Sequence, residues 1–109
     1  MNVRRFASVI RLRPDRVDQY RRLHREVWPE VLQTLSSVGI RNYSIFFRDG
    51  LLFSYYEYVG DDHAADMARM AADPATQRWW SLTDPCQEPV QTAEAGEWWA
   101  PAVELFHLE

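Results

Sequence analysis

The sequence predicts an α+β fold of ferredoxin-like order, βαββαβ, in which an antiparallel sheet carries its helices on one face. Four stretches alternate apolar and other residues as strands do: residues 4–12, 40–48, 51–59 and 102–108. Between them, residues 15–38 and 61–80 repeat apolar residues at helical spacings of three and four. Right-handed crossovers through these helices produce the ferredoxin-like sheet. With 109 residues, of which 47% are hydrophobic, we expect residues 1–109 to form a single domain.

The first helical stretch has a titratable ring on its apolar face. That face is formed by Val17, Tyr20, His24 and Val27. Tyr20 and His24 are four residues apart, so on a helix their side chains lie one turn apart on the same face. Pro29 cannot donate to the carbonyl four residues back and biases Trp28 away from helical geometry, which predicts two helices that meet at Trp28. Gly39 is the expected C-terminal cap.

A hairpin follows, and its loop is Asp49-Gly50, the sequence typical of a two-residue type I′ turn. On one face the resulting register pairs Phe47 with Leu52, Ile45 with Ser54 and Tyr43 with Tyr56; on the other it pairs Phe46 with Phe53, Ser44 with Tyr55 and Asn42 with Glu57. Both faces are largely apolar or aromatic, and the helices of a small domain cover only one. The uncovered face needs a ligand or a second subunit, and we expect a homodimer that packs sheet against sheet as a dimeric α/β barrel.

The second half of the chain repeats the helix-to-strand pattern. Asp61 or Asp62 can cap a helix, and Asp73-Pro74 restarts it before Trp79-Trp80. Residues 83–101 have no sustained period and contain Trp98 and Trp99; a loop of this length in a small domain is typically functional. We expect residues 102–108 to form the last strand.

Composition excludes several classes of function. The formal net charge of −4 does not favour binding to nucleic acid. A single cysteine, Cys86, permits no intrachain disulfide and no cysteine-based metal site, which suits the reducing cytoplasm. The apolar runs are too short to span a membrane. His63 and His107 have no second ligand at a metal-binding spacing, so we expect no metal site.

His24 has two interpretations. It is either a core histidine whose polar atoms are satisfied by a backbone carbonyl, or an acid–base group in a partly dry pocket. Tyr20 can likewise orient a substrate hydroxyl or belong to the core. Trp79 and Trp80 can divide into a core ring and a lid ring, or offer a flat apolar platform with N–H donors for a sugar. This set of residues suits a small neutral polyol better than an anion.

Several motifs together resemble the L-rhamnose mutarotases. They are Tyr20-x-x-x-His24-x-x-x-Trp28-Pro29-Glu30, Gly39-x-x-Asn42-Tyr43-Ser44-Ile45, Leu51-Leu52-Phe53, Gln77-Arg78-Trp79-Trp80 and Glu104-Leu105-Phe106-His107-Leu108. The resemblance implies a ferredoxin-like fold that dimerises through its sheets. It implies that His24 is the proton donor and that Tyr20, Tyr43, Trp79 and Trp80 contact the sugar.

The implied reaction interconverts the α and β anomers of L-rhamnose through the open-chain aldehyde, without a cofactor. The general base is left open between Tyr20, Glu57 and a water. L-fucose or another 6-deoxyhexose is an alternative substrate. The competing class is a cofactor-free monooxygenase or a ligand-binding module on the same dimeric sheet, because a fold does not fix a function.

Overall fold

The computed structural model describes residues 2–109, and within them the chain forms four α-helices, two 3-10 turns and one five-stranded antiparallel sheet. The elements are β1 (Arg4–Leu12), α1 (Val17–Arg25), α2 (Pro29–Ser37), β2 (Ile40–Arg48), β3 (Leu51–Tyr58), α3 (His63–Ala71), α4 (Pro74–Thr83), β4 (Gln87–Glu88) and β5 (Ala100–Ala102). The 3-10 turns precede α1 and follow α4. The predicted α+β fold of ferredoxin-like order is confirmed.

β1 is the central strand of the sheet. It pairs with β3 along one edge, β3 pairs with β2, and the short strands β4 and β5 share the other edge of β1. The prediction of one last strand over 102–108 is therefore wrong. β4 stops before Pro89, which has no N–H for a ladder. β5 ends at Ala102, opposite Ala7, and residues 103–109 beyond it are exposed and form no strand, although Glu104 still pairs with Arg5 of β1.

The hairpin between β2 and β3 has the predicted turn. Asp49 and Gly50 both have positive φ, 53° and 76°, as a type I′ turn requires. The predicted register holds from the turn as far as the pair Ser44 and Tyr55. Beyond it a β-bulge shifts the ladder by one residue, so Arg41 pairs with Glu57 and the predicted backbone pairing of Asn42 with Glu57 is wrong. Asn42 absorbs the bulge with a φ of 50°.

The helix boundaries follow local signals. α2 begins at Pro29, and Gly39 follows its end with a φ of 87°, both as predicted. The carboxylate of Asp62 accepts from the Ala65 amide at 3.1 Å and begins α3. Asp73 accepts from the Thr76 amide at 2.9 Å and begins α4. The two caps fix the first residues of α3 and α4, and so they fix the position of His63, the first residue of α3.

The hydrophobic core lies between the sheet and α1. Its buried cluster is formed by Ile10, Leu12, Tyr20, Leu52 and Cys86, with Val17, Ile45 and Trp99 packed against it. The opposite face of the sheet is uncovered: Phe46 and Phe53 are 58% and 44% exposed. Among the described residues, no helix is both long enough and apolar enough to cross a bilayer.

Candidate active site

His24 is held by the residue one turn before it on α1. Its Nδ1–H donates to the backbone carbonyl of Tyr20 at 2.8 Å, and the two rings stack with centroids 4.2 Å apart. A carbonyl oxygen can only accept, so the proton of neutral His24 lies on Nδ1 and Nε2 carries the lone pair. The ring is partly buried and lines a cavity between the helices and the sheet. Nε2 is thus the nitrogen left for acid–base chemistry.

The hydroxyl of Tyr20 is oriented by Gln87 on β4. Trp98 Nε1–H donates to Gln87 Oε1 at 2.9 Å, and Gln87 Nε2 donates to the Tyr20 oxygen at 3.0 Å. An indole N–H can only donate, so the amide oxygen of Gln87 must face Trp98 and its nitrogen must face Tyr20. The Tyr20 oxygen is therefore an acceptor in this contact, and its own O–H is free to donate.

Two tryptophans of α4 form the aromatic side of the cavity. Trp79 is buried, and its ring meets His24 edge-on at 5.3 Å between centroids and Trp28 edge-on at 5.2 Å. Trp80 is partly exposed and lines the same cavity. The kink at Pro29 places Trp28 against Trp79, so the junction of α1 and α2 supports the ring that lies beside His24.

The sheet supplies the floor of the cavity. Tyr43 lies at the β2 bulge and contacts Tyr56 edge-on at 5.9 Å between ring centroids. Two cavities of about 420 and 770 Å³ adjoin here and share a wall that includes Tyr20, His24, Tyr43 and Trp79. These volumes lie in the range of small-molecule sites. All five residues singled out from the sequence line the larger cavity, namely Tyr20, His24, Tyr43, Trp79 and Trp80.

Burial dominates the electrostatics of these groups. Loss of hydration lowers the pKa of His24, against the opposing effect of its hydrogen bond to the Tyr20 carbonyl. Burial also raises the pKa of Tyr20, so its phenol stays protonated near neutral pH. Tyr43 is 43% exposed as a whole residue, and burial of its hydroxyl raises its pKa to about 12. The wall shared by the two cavities therefore offers two neutral phenols, Tyr20 and Tyr43, and one imidazole, His24.

Glu57 is not part of this cavity. Its carboxylate accepts from Asn42 Nδ2 and from the Tyr55 hydroxyl, each at 2.8 Å, on the opposite face of the sheet. These two hydrogen bonds lower the pKa of Glu57. The position of Glu57 on the other sheet face therefore counts against it as the base that acts with His24. Among residues 2–109, no three His, Cys, Asp or Glu side chains come close enough to hold a metal ion.

Among the cavity-lining residues that sequence reasoning did not assign to the site are Gln87, Tyr56 and His63. Gln87 bridges Tyr20 and Trp98, which are 78 residues apart, and no periodic pattern marks it. Tyr56 was assigned to the same sheet face as Tyr43 but not to the site. His63 was considered only as a metal ligand, although it is the first residue of α3 and its ring points at Tyr56. The cap at Asp62 was the one available signal for its position.

A sequence model described as L-rhamnose mutarotase matches residues 5–108. The chain belongs to the L-rhamnose mutarotase family. It is thus a sugar mutarotase, a class of isomerase. Two curated relatives are each 38% identical to it: an L-fucose mutarotase of Xanthomonas campestris, matched over 99% of this chain and 90% of its own, and an L-rhamnose mutarotase of Burkholderia ambifaria, over 89% and 90%.

A solved structure supports the fold of the mutarotase domain. The L-rhamnose mutarotase of Formosa agariphila superposes with a TM-score of 0.76 at 24% identity, covering 97% of this chain and 99% of its own. At that identity the match supports the architecture alone. The family match points to a sugar mutarotase, the fold agrees with it, and the cavity around His24 is of a size that suits a small molecule.

Proposed function

We propose that this chain interconverts the α and β anomers of L-rhamnose, or of a related 6-deoxyhexose such as L-fucose, with His24 as the proton donor. The observation that carries the proposal is the hydrogen bond from His24 Nδ1–H to the Tyr20 carbonyl, because it leaves Nε2 as the ring nitrogen available to a ligand in the cavity. The proposed reaction uses no cofactor.

The reaction opens and recloses the pyranose ring. Protonated His24 donates Nε2–H to the ring oxygen as the bond from C1 to that oxygen breaks, and a base takes the proton of the anomeric hydroxyl. The product is the open-chain aldehyde. Rotation about the C1–C2 bond and the reverse proton transfers close the ring with C1 inverted. Burial lowers the pKa of His24 and so makes its protonated form a stronger acid.

The proposed base is a water molecule in the cavity. Glu57 is excluded by its position on the other sheet face, and the raised pKa of Tyr20 disfavours its phenolate. A water beside the free O–H of Tyr20 can accept that hydrogen bond and take the anomeric proton. Spontaneous anomerisation already occurs in water, so positioning and one good acid supply the acceleration needed.

Four residues are proposed to bind the sugar. The hydroxyls of Tyr20 and Tyr43 are hydrogen-bonding partners for sugar hydroxyls, since both phenols are neutral. The indoles of Trp79 and Trp80 offer apolar faces to the C–H groups and the methyl group of a 6-deoxyhexose. A neutral, partly apolar ligand suits a cavity whose charged groups are few.

Exchange NMR between the two anomers of L-rhamnose tests the proposal. The wild-type protein should accelerate exchange, and His24→Ala should lose about 10²- to 10⁴-fold of that acceleration, the usual contribution of a general acid. Arg22→Ala is the matched control, because Arg22 is an exposed residue of the same helix. No acceleration by wild type, or an unchanged rate in His24→Ala, would defeat the proposal. Oxygen uptake with an aromatic substrate would instead favour the monooxygenase class.

We also propose a homodimer that forms through the uncovered sheet faces. Phe46 and Phe53 expose an aromatic patch there, and Leu105 and Phe106 of the segment 103–109 are also exposed apolar side chains. A twofold axis buries the same patch on both copies, which removes this apolar surface from water. Light scattering measures the mass directly.

The remaining proposals concern domain and compartment. We assign residues 1–109 to one domain, since β1, the middle strand of the sheet, pairs with both the hairpin and the late strands.

We place the protein in the cytoplasm, because Cys86 is a buried free thiol of the kind found in reducing compartments.

A further inference from the structure

A second polar pair lines the part of the larger cavity that the smaller cavity does not share. The hydroxyl of Tyr56 and Nε2 of His63 are 2.8 Å apart. Both residues line the larger cavity and neither lines the smaller one, whereas His24 and Tyr43 line both. The pair therefore lies outside the wall that the two cavities share, and Tyr43, which belongs to that wall, contacts Tyr56 with its ring 5.9 Å away.

The pair is held rigidly by aromatic packing. The ring of Phe6 stacks on His63 at 4.1 Å and on Tyr56 at 5.1 Å between centroids. Tyr58 meets His63 edge-on at 5.0 Å and bonds through its hydroxyl to the Asp66 carboxylate, one turn further along α3. His63 is the first residue of a helix capped by Asp62. Its ring consequently has little freedom to leave Tyr56.

This pair matches the hydrogen-bonding character of a hydroxyl group. Burial lowers the pKa of His63, so its ring is neutral near pH 7 and exists as one of two tautomers. If Nε2 is bare, the Tyr56 O–H donates to it and the phenol oxygen can accept from a ligand. If Nε2 carries the proton, it donates to Tyr56 and the phenol O–H can donate to a ligand. A sugar hydroxyl, which both donates and accepts, fits either state.

From this geometry we infer that Tyr56, positioned by His63, binds the C4 hydroxyl of the sugar and thereby sets the preference among 6-deoxyhexoses. The inference rests on the proposed function, in which His24 meets C1 and the ring oxygen. C4 lies across the pyranose ring from C1. L-rhamnose and L-fucose differ in configuration at C2 and C4, so a fixed partner at C4 favours one over the other.

The inference is tested by measuring kcat and KM for both L-rhamnose and L-fucose. Tyr56→Phe should raise KM about 5- to 10-fold for the preferred sugar while kcat changes less, and should narrow the ratio of kcat/KM between L-rhamnose and L-fucose. His63→Phe keeps the stack on Phe6 and should change the same ratio in the same direction. Tyr55→Phe is the matched control, because it deletes a hydroxyl of the same strand on the opposite face, where it bonds to Glu57.

The 4-deoxy analogue of L-rhamnose gives the decisive comparison. If Tyr56 binds the C4 hydroxyl, wild type and Tyr56→Phe should turn over this analogue with the same kcat/KM. An equal loss for the analogue and for L-rhamnose, or an unchanged sugar ratio in a Tyr56→Phe protein with wild-type near-UV circular dichroism, overturns the inference and leaves the mutarotase proposal standing. A wild type that accelerates exchange of no 6-deoxyhexose overturns both.

Discussion

Gln87 donates its amide N–H to the hydroxyl oxygen of Tyr20 at 3.0 Å, and Trp98 fixes the direction of that bond by donating to the other end of the same amide. Tyr20 and Gln87 are both buried and lie 67 residues apart in the chain. The contact joins α1 to the short strand β4. It therefore links the residue beside His24 to the segment 83–101, whose role the sequence left open.

Replacing Gln87 should impair both stability and substrate binding. Gln87→Leu leaves the buried Tyr20 oxygen and the Trp98 N–H without their partner, which costs about 1–3 kcal/mol of unfolding free energy. It also releases the orientation of the Tyr20 hydroxyl, so KM for L-rhamnose should rise about 10-fold. Urea unfolding and exchange NMR measure the two effects.

Trp98→Phe removes a smaller part of the same hydrogen-bonded chain and is compared with Gln87→Leu. It removes the indole donor but keeps the amide, so Tyr20 retains a partner and the effects should be smaller than those of Gln87→Leu. An equal or larger KM effect in Trp98→Phe would show that the indole itself, and not the amide orientation, matters for binding.

The rate of mutarotation should depend on the protonation of His24. The donor is the imidazolium, which is populated below the pKa of His24, and burial puts that pKa below the ordinary value of 6.5. The rate constant kcat/KM should therefore fall as pH rises through a midpoint below 6.5. A pH–rate profile from about pH 5 to about pH 8, beside an NMR titration of the His24 ring, tests this. A midpoint above 6.5, or a flat profile, would contradict His24 as the acid.

The unfolding free energy should also depend on the protonation of His24, but it should fall, not rise, as the pH is lowered. The pKa of His24 is lower in the folded state than the 6.5 of an unperturbed histidine, so the unfolded chain binds more protons between those two values. The unfolding free energy should decrease as pH falls below about 6.5. His24→Phe should remove part of this decrease, measured by urea unfolding at two pH values. A pH dependence identical to that of wild type would mean that His24 titrates alike in both states.

A charge on the uncovered sheet face should dissociate the proposed dimer. Phe46→Glu would bury a carboxylate against the partner's aromatic patch, so the protein should become monomeric by light scattering. Leu82→Glu is the control, because Leu82 is also an exposed apolar side chain but lies on α4. A monomeric wild type would overturn the dimer proposal, and a Phe46→Glu variant that stays dimeric would show that the contact lies on another surface.

Much of the architecture could be predicted because its signals are local. The Asp49-Gly50 turn, the break at Pro29 and the cap at Asp73 each act within a few residues and occur as predicted. Of the two predicted candidates for the cap of α3, Asp61 and Asp62, the cap is Asp62. The same holds for Tyr20 and His24, whose helical spacing places them on one face. The resemblance of short motifs then indicated the chemistry of that face.

Tertiary structure decided what depends on distant partners. The bulge at Asn42 shifts the register of the hairpin beyond Ser44. In place of one last strand, the short strands β4 and β5 pair with different parts of β1. Gln87 reaches Tyr20, and His63 reaches Tyr56, only when the helices pack on the sheet. The sequence by itself determined the helices, the first three strands and the inward position of Tyr20 and His24, since propensity and period act along the chain. The partner of the Tyr20 hydroxyl was decided by packing, because Gln87 comes from a segment far away in the sequence, whereas His24 bonds to a carbonyl on its own helix.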